Sequence, residues 1–255
     1  MFPSILVLFL FGCLSGVTTV LFGFGGGFVT VPVVAAVTRS GDAMHVAVAT
    51  STAVMVVNSV TATIVQARAG RLRREYVWPL AAFIAAGAVA GSVLATRIGD
   101  GVLRVLFVGY LALTIVDSVL RGGFLRAHGE PRPLGPVTTT VGGIGIGAVA
   151  SFLGVGGSVL TVPLLRRKGL AMAGATAMAN PLSVPVAVIG TAVYATAGSG
   201  PAGYLDPVAA AALLAGSLPA IAVLRRVADR LPDRGHAIAY VLLLAAALLA
   251  VAFGG

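Results

Sequence analysis

Two glycine-rich phrases, 131 residues apart, contain the residues of this chain that are best suited to chemistry. Residues 23–34 read GFGGGFVTVPVV, and residues 154–165 read GVGGSVLTVPLL. Clustered glycines followed by a proline destabilise a continuous helix. A helix that restarts after such a break has unpaired backbone N–H groups at its N-terminus, and these bind anions. The phrases therefore predict a site for an anion or another small polar solute.

The predicted site also includes polar residues from the apolar segment that follows each phrase. Hydroxyl and amide groups deep in a membrane helix bond to their own helix, join helices or line a cavity. For the two asparagines we expect one of the last two roles. The candidate residues are Gly23, Gly25, Gly26, Gly27, Thr30, Pro32, Thr50, Ser51, Asn58, Gly154, Gly156, Gly157, Ser158, Thr161, Pro163, Asn180, Pro181 and Ser183.

Close helix packing is the alternative explanation for glycines in a membrane protein, because small residues let helix backbones approach each other. It is sufficient for the G-x-x-x-G pairs Gly12/Gly16, Gly87/Gly91 and Gly143/Gly147. It does not account for three adjacent glycines followed by a proline. In the segment after the second phrase, Pro181 and Pro185 predict a kink that frees carbonyl groups near Asn180.

Ionisable residues give little support to enzymatic or metal chemistry. No His, Cys, Asp and Glu residues have metal-ligand spacing, and no nucleophile–base set occurs, so we expect neither a cofactor nor an enzyme. Asp117 is the one ionisable residue predicted inside the membrane, and its position four residues before Arg121 favours an interfacial ion pair. His45 is expected near the outer surface, either as a proton-sensitive group or as an ordinary interfacial residue.

The composition shows that these residues are positioned by membrane helices. Hydrophobic residues make up 58% of the chain and charged residues only 10%, whereas soluble domains carry about 25% charged residues. The net charge of +9 comes from short basic clusters between apolar segments, which indicates topology rather than a nucleic-acid partner. The eight apolar segments are 2–38, 43–67, 76–96, 102–120, 134–165, 170–197, 205–224 and 236–253.

The basic residues predict how these segments cross the membrane. If all eight crossed, alternate connections would carry 10 and 7 Lys and Arg residues. If the first and fifth segments each begin and end on the same face of the membrane, 14 of the 17 Lys and Arg residues lie on one side of it. The positive-inside rule favours this arrangement and makes that side cytoplasmic. Equivalent connections then fall on opposite faces, which is the property of inverted repeats. We therefore predict an all-α polytopic membrane protein with two inverted-topology repeats, 1–133 and 134–255, each a Gly-broken re-entrant helical hairpin plus three transmembrane helices.

The chain resembles the TauE/SafE family of sulfite exporter-type permeases. The resemblance rests on the two glycine phrases, on the run from His45 through Thr50 and Ser51, and on the basic loop of Arg68, Gly70 and Leu72. Where the family repeats a Gly-Thr-Ser run in the second half, this chain has Ala179-Asn180-Pro181. The resemblance implies a carrier of small sulfur-containing anions in the bacterial inner membrane.

We expect a secondary transporter of a small anion, such as sulfite or an organosulfonate, that works by alternating access. We expect the protein to lie in the lipid bilayer. The sequence does not decide whether transport is coupled to protons or whether the protein forms a homo-oligomer. The alternative is a passive anion or small-solute channel built on the same two hairpins. A third hypothesis, a scaffolding subunit, predicts no flux and no effect of joint Gly26→Val and Gly157→Val substitutions.

Overall fold

A computed structural model describes residues 2–120, 131–198, 200–224 and 232–253. Within these ranges every regular element is a helix, and a π-helical turn, Thr138–Gly142, precedes α7. The helices are α1 (Phe2–Phe22), α2 (Gly27–Val37), α3 (Ala43–Arg68), α4 (Arg74–Val77), α5 (Leu80–Ala95), α6 (Asp100–Leu120), α7 (Gly143–Leu153), α8 (Ser158–Arg167), α9 (Met172–Thr196), α10 (Pro207–Leu224) and α11 (Asp233–Phe253).

The helices establish a multi-pass membrane protein of the all-α class. Six helical stretches of the described chain are long and apolar enough to cross a bilayer, judged by length and composition. They contain α1, α3, α4 with α5, α6, α9 and α10. The all-α prediction is therefore confirmed.

Both glycine phrases break a long apolar segment into two helices. The first break, between α1 and α2, contains Gly23, Gly25 and Gly26 at φ values of 72°, 61° and 94°. The second, between α7 and α8, contains Gly154 and Gly156 at 67° and 73°. These backbone conformations suit glycine because it has no Cβ. The arms of the first segment are unequal, since 21 residues make a helix of about 31 Å and 11 residues one of about 16 Å.

Each half of the chain inserts its first helix beside the penultimate helix of the other half. α1 packs along α10, and α7 packs along α5, in both cases in the same direction. A Cβ added to Gly12 or Gly16 of α1, or to Gly143 or Gly147 of α7, would collide with the partner helix, so only glycine permits this approach. The contacts are Gly12 with Leu213, Gly16 with Ser217, Gly143 with Phe83 and Gly147 with Ile84.

The direction of α3 shows how α1 and α2 are related. Thr50 is bonded to Asp206, and Asn58 to Ser217, so α3 runs parallel to α10. Since α1 is also parallel to α10, α1 and α3 point the same way. The short connection 38–42 joins the end of α2 to the start of α3, and Thr30, earlier in α2, bonds to Ser51, later in α3. α2 is therefore antiparallel to α3 and to α1. The first glycine break is therefore the tip of a helical hairpin.

The connections between helices fall on two ends of the molecule. One end, called here the basic face, carries the connections 69–73, 131–137 and 168–171 and the start of α11. They are tied together by bonds from the Tyr76 hydroxyl to the Arg132 carbonyl (3.2 Å) and from the Arg132 N–H to the Lys168 carbonyl (2.8 Å). The other end, called the opposite face, carries the connections 38–42, 96–99 and 197–206. Five of the Lys and Arg residues counted for the topology prediction lie outside the described residues: Arg121, Arg126, Arg225, Arg226 and Arg230.

Gly147→Ala tests the close approach of α5 and α7. The new Cβ would collide with main-chain atoms of Ile84, and overpacking of this kind costs about 1–3 kcal/mol of unfolding free energy. The matched control is Gly145→Ala on the same helix, where a Cβ meets nothing within 4 Å. Because alanine favours helix by about 1 kcal/mol over glycine, the control should not be destabilised. Thermal unfolding of the purified variants measures both effects, and equal losses would contradict the packing.

Candidate functional site

The tips of the two glycine breaks meet at the hydroxyl of Ser51. Its Oγ lies 3.1 Å from the carbonyl oxygen of Gly27 and 3.0 Å from that of Gly154, so it donates to one of them at a time. The Thr30 hydroxyl donates to the same Ser51 oxygen at 2.8 Å. A Cβ added at Gly27 would lie 2.6 Å from the Gly154 carbonyl oxygen. One buried hydroxyl of α3 therefore connects the start of α2 to the end of α7.

The start of α2 presents backbone donors inside the protein. Gly26 stands before the first turn, and its carbonyl accepts the N–H groups of Val29 and Thr30, each at 3.1 Å. Within the described chain, the N–H groups of Gly27 and Phe28 have no hydrogen-bond acceptor. All these residues are buried. Because the helix dipole places partial positive charge at this end, an anion there would be stabilised.

The start of α8 repeats this arrangement and adds free hydroxyl groups. The Gly157 carbonyl accepts the N–H groups of Leu160 (3.2 Å) and Thr161 (2.9 Å). The Ser158 Oγ and the Thr161 Oγ1 are buried and have no partner among the described residues. An unsatisfied buried hydroxyl costs about 1–3 kcal/mol, so these groups are suited to a polar ligand. Thr30, which occupies the position of Thr161 in the first half, is instead bonded to Ser51.

Three glycines of the breaks contact side chains that would exclude a larger residue. A Cβ at Gly26 would collide with Ser15 and lie 2.8 Å from the Asn58 amide nitrogen, while one at Gly25 would collide with Ser59. A Cβ at Gly156 would lie 2.6 Å from the Met55 sulfur. Gly23 packs against Ala179 and the carbonyl of Thr176, and Gly154 packs against Val48. At Gly23 and Gly154 main-chain atoms of the neighbouring helix add to the restriction that the backbone angles impose.

Tyrosine hydroxyls satisfy carbonyl groups that the breaks and prolines leave without a helical partner. Pro163 lacks the N–H that would bond to the Val159 carbonyl, and the Tyr240 hydroxyl donates to that carbonyl at 3.0 Å. The Tyr194 hydroxyl donates to the Ser151 carbonyl at 3.0 Å, near the end of α7. The ring of Tyr240 also contacts Phe24, with centroids 5.0 Å apart. Both breaks are thus anchored from α9 and α11.

Other predicted site residues join helices to one another. The Thr50 Oγ1 accepts the Asp206 N–H at 3.0 Å. The Asn58 amide accepts from Ser217 at 2.8 Å and donates to Ser15 at 3.4 Å. These contacts place Asn58 between α1 and α10.

The predicted residues of α9 have mixed surroundings. The Asn180 amide nitrogen donates to the Thr19 carbonyl of α1 at 3.3 Å, while its Oδ1 is buried without a partner in the described chain. Ser183 bonds to the Ala179 carbonyl of its own helix at 2.9 Å. The helix continues through Pro181 and Pro185, just as α2 continues through Pro32.

The two ionisable candidates lie at opposite ends of the molecule. Asp117 forms an ion pair with Arg167 of α8 at the basic face. Its expected partner, Arg121, lies outside the described residues. His45 is buried at the opposite face and pairs with Asp100. No group of three or more His, Cys, Asp and Glu residues in the described ranges has the geometry of a metal site.

Several polar residues at the breaks had no signal in the sequence. Ser15, Ser59 and Ser151 are buried beside the two breaks, and the hydroxyls of Ser59 and Ser151 have no partner among the described residues. The sequence does not distinguish a serine that faces a break from one whose hydroxyl bonds to its own helix. The spacing from the glycine phrases would have identified only Ser151, three residues before Gly154.

Comparison with known proteins identifies related sequences. A family model described as "Sulfite exporter TauE/SafE" matches residues 8–251. A protein of Haemophilus influenzae described as "Probable membrane transporter protein" is 29% identical over 178 residues. That alignment covers 67% of this chain and 66% of the relative, which is just under two thirds of its length. No solved structure matches the chain.

Ser51→Ala tests whether the tips are held together by this hydroxyl. We expect the free energy of unfolding to fall by about 1–3 kcal/mol, because buried carbonyl and hydroxyl groups would lose their partner. The matched control is Ser92→Ala, since the buried Ser92 hydroxyl bonds at 2.8 Å to the Ala88 carbonyl of its own helix. Chemical or thermal unfolding would show the difference. A Ser51 variant as stable as the control would exclude this role.

Proposed function

Because this chain belongs to the sulfite exporter TauE/SafE family, we propose that it is a secondary transporter that carries a small anion by alternating access. Family membership and the six candidate spans make it a multi-pass membrane transporter. The proposed substrates are sulfite or small organosulfonates, after the description of the family, and the proposed location is the bacterial inner membrane. The anion is moved without chemical conversion.

The observation that carries the proposal is the pair of buried helix N-termini at the glycine breaks. α2 starts beside the second break, and Gly156, two residues before α8, lies beside the Phe24 carbonyl of the first break. Within the described chain the first two N–H groups of each helix lack an acceptor. Two dipoles of about half a positive charge each can attract an anion without a buried Lys or Arg. A dipolar site holds its ligand less tightly than a full cation, which suits reversible release.

The hydroxyls of Ser158 and Thr161 supply directional donors to the proposed site. Both are buried and lack a partner among the described residues. A sulfite or sulfonate group offers three oxygen acceptors, so it can accept main-chain N–H and hydroxyl bonds together. Because the corresponding Thr30 hydroxyl is bonded to Ser51, we propose that the second half supplies most of the specificity.

The packing of the helices supports inverted repeats. α1 pairs with α10 just as α7 pairs with α5, and both pairs are parallel. α3 and α9, the second elements of the two halves, pack on each other, and so do α6 and α11. Exchange of the two halves therefore reproduces the same set of neighbours. Two such halves can rock against each other around a central site, which gives alternating access.

Thr161→Val tests the proposed site. We expect the affinity for the transported anion to fall about tenfold, because one hydroxyl donor to a charged ligand is lost. The matched control is Thr114→Val, whose buried hydroxyl bonds at 2.8 Å to the Tyr110 carbonyl of its own helix. Binding would be measured by calorimetry on the purified protein with sulfite, sulfate, thiosulfate and small sulfonates. If no anion of this panel binds, the substrate class is wrong.

Flux measurements on reconstituted vesicles separate a carrier from a channel. A carrier shows saturable uptake that substrate inside the vesicle accelerates. Linear uptake without such acceleration would exclude alternating access. Absence of any flux, together with insensitivity to Gly26→Val and Gly157→Val, would favour a scaffolding role.

Labelling of single cysteines tests the topology. Cys13 is the only cysteine of the chain, so Cys13→Ala provides a background for Arg39→Cys and Arg71→Cys. Position 39 lies in a connection of the opposite face and position 71 in one of the basic face. We expect an impermeant maleimide to label position 39 from outside the cell and position 71 only after permeabilisation. Labelling of both from one side would refute the inverted topology.

A further inference from the structure

A small cavity lies at the basic face between α1, α3 and α10. It has a volume of about 40 Å³, and since one water molecule needs about 10–15 Å³ of such space, it has room for about three. Its walls are Val20 of α1, Ile221 of α10 and one face of α3 that includes Ala62 and Gln66. The connection 69–73 also contributes to the lining and is exposed there. The cavity therefore opens at the basic face.

The side chain of Gln66 is a buried polar group in the wall of this cavity. The residue is 9% exposed, and its Oε1 has no hydrogen-bond partner among the described residues. A buried amide oxygen without a partner is costly, so the cavity is suited to a molecule that supplies the bond. Rotation of the amide by half a turn presents its NH₂ group instead, which has two N–H donors. Gln66 can therefore bind either water or an oxyanion.

The mouth of the cavity carries positive charge. Arg71 contributes to its lining, and Arg68 and Arg73 are exposed on the neighbouring chain. The Arg71 main-chain N–H donates to the Gln66 carbonyl at 3.1 Å, which fixes this connection to the end of α3. Glu75, the acidic residue nearest in sequence, does not line the cavity. Because a cleft lined by one sign of charge concentrates ions of the other sign, this mouth attracts anions.

The lining face of α3 continues from the cavity toward the first glycine break. Ala69, Gln66 and Ala62 follow each other at helical spacing, and Ser59 extends the same face by another turn. Seven residues of helix place Ser59 about 10 Å deeper than Gln66. The Ser59 hydroxyl is buried without a partner in the described chain, and a Cβ added at Gly25 would collide with it. Ser59 therefore lies between the cavity and the break.

The three helices around the cavity are joined by hydrogen bonds at its inner end. The Asn58 amide accepts from Ser217 of α10 at 2.8 Å and donates to Ser15 of α1 at 3.4 Å. Ser217 stands one turn before Ile221, which lines the cavity. On the other side, Asn58 and Ser15 contact Gly26, directly before the start of α2. Polar side chains therefore lie where the cavity and the proposed anion site approach each other.

We propose that this cavity is the entry site of the transported anion at the basic face. Arg71 attracts the ion, and the Gln66 amide and then the Ser59 hydroxyl replace the water molecules bonded to it. The bonds of Asn58 close the inner end in the structure, and their release admits the ion to the start of α2. The ligand class is a small oxyanion such as sulfite or a sulfonate. This route rests on the proposed function, because it leads to the same anion site.

Cysteine labelling of the full-length protein in lipid nanodiscs tests the entry site. The probe is sulfonatoethyl methanethiosulfonate, a thiol reagent that carries a sulfonate group. In the Cys13→Ala background, Ala62→Cys reports on the cavity, and Ala175→Cys is the control, because Ala175 is fully buried near the same face and does not line the cavity. We expect the reagent to label position 62 at least about tenfold faster than position 175. Equal rates would overturn the proposal. If Ala62→Cys does not fold, the nearly isosteric Ser59→Cys replaces it in the same comparison.

The charge at the mouth is tested with a matched pair of reagents. The rate at position 62 is measured with the sulfonate reagent and with its trimethylammonium analogue at low ionic strength. We expect Arg71→Gln to lower the preference for the sulfonate about threefold, because one positive charge near the path is lost. The control is Arg74→Gln, since Arg74 is exposed at the same face and does not line the cavity. Equal effects of the two substitutions would exclude this role of Arg71.

Gln66→Leu separates an entry residue from a structural one. Leucine has no group that needs a buried partner, so we expect the unfolding temperature to be unchanged or higher. The sulfonate reagent should nevertheless label position 62 about tenfold more slowly, because the ion loses a hydrogen bond in the cavity. A variant that is less stable than the parent and is labelled as fast would show that Gln66 is only structural, and would overturn its place in the route.

The entry route and the proposed function fail in different measurements. The labelling experiments need no transported substrate, whereas the proposed function is tested by anion binding and by flux. If anions bind and are carried while position 62 is labelled as slowly as position 175, only the entry route is refuted. If position 62 is labelled fast and no anion of the panel binds, the substrate class of the proposed function is refuted, and with it the part of this proposal that names the ligand.

Discussion

The need to satisfy backbone polar groups inside a membrane governs this structure. A continuous helix satisfies them internally, whereas each break exposes N–H and carbonyl groups where no lipid can bond to them. The glycine phrases form two such breaks, and buried side chains surround both. Ser51 bonds to carbonyls of both breaks, and Tyr194 and Tyr240 bond to carbonyls beside the second. The buried N–H groups at the starts of α2 and α8 are among the donors without an acceptor in the described chain, and a ligand can bind there.

Exchange of helices between the halves explains why the breaks meet. α1 and α7 each leave their own half and pack on glycine and other small residues against the other half. Each break is thereby carried into the centre, where the Ser51 hydroxyl of α3 lies between carbonyl groups of the two breaks. Since lipid tails are as apolar as leucine, helices in a membrane associate through close packing and polar contacts rather than through the hydrophobic effect. The glycines permit the close packing, and residues such as Asn58 make the polar contacts.

The halves are similar in backbone and different in chemistry. Thr30 is bonded to Ser51, whereas Thr161 has no partner in the described chain. The carboxylates that begin α6 and α11 bind a histidine in one half and an arginine in the other. The two halves therefore place different polar side chains at corresponding positions.

The sequence alone determined the membrane class, the helical segments and the places where two of them break, because hydropathy, glycine and proline act locally. The family was recognisable from the same phrases. Tertiary structure decided which polar groups have partners. Thr50 and Ser51 are neighbours in sequence, yet one is bonded to Asp206 and the other to the breaks. Likewise, His45 and Asp100 are 55 residues apart, and only packing brings them together. Hydrogen bonds between distant segments depend on how helices pack, and local sequence patterns contain no record of that packing.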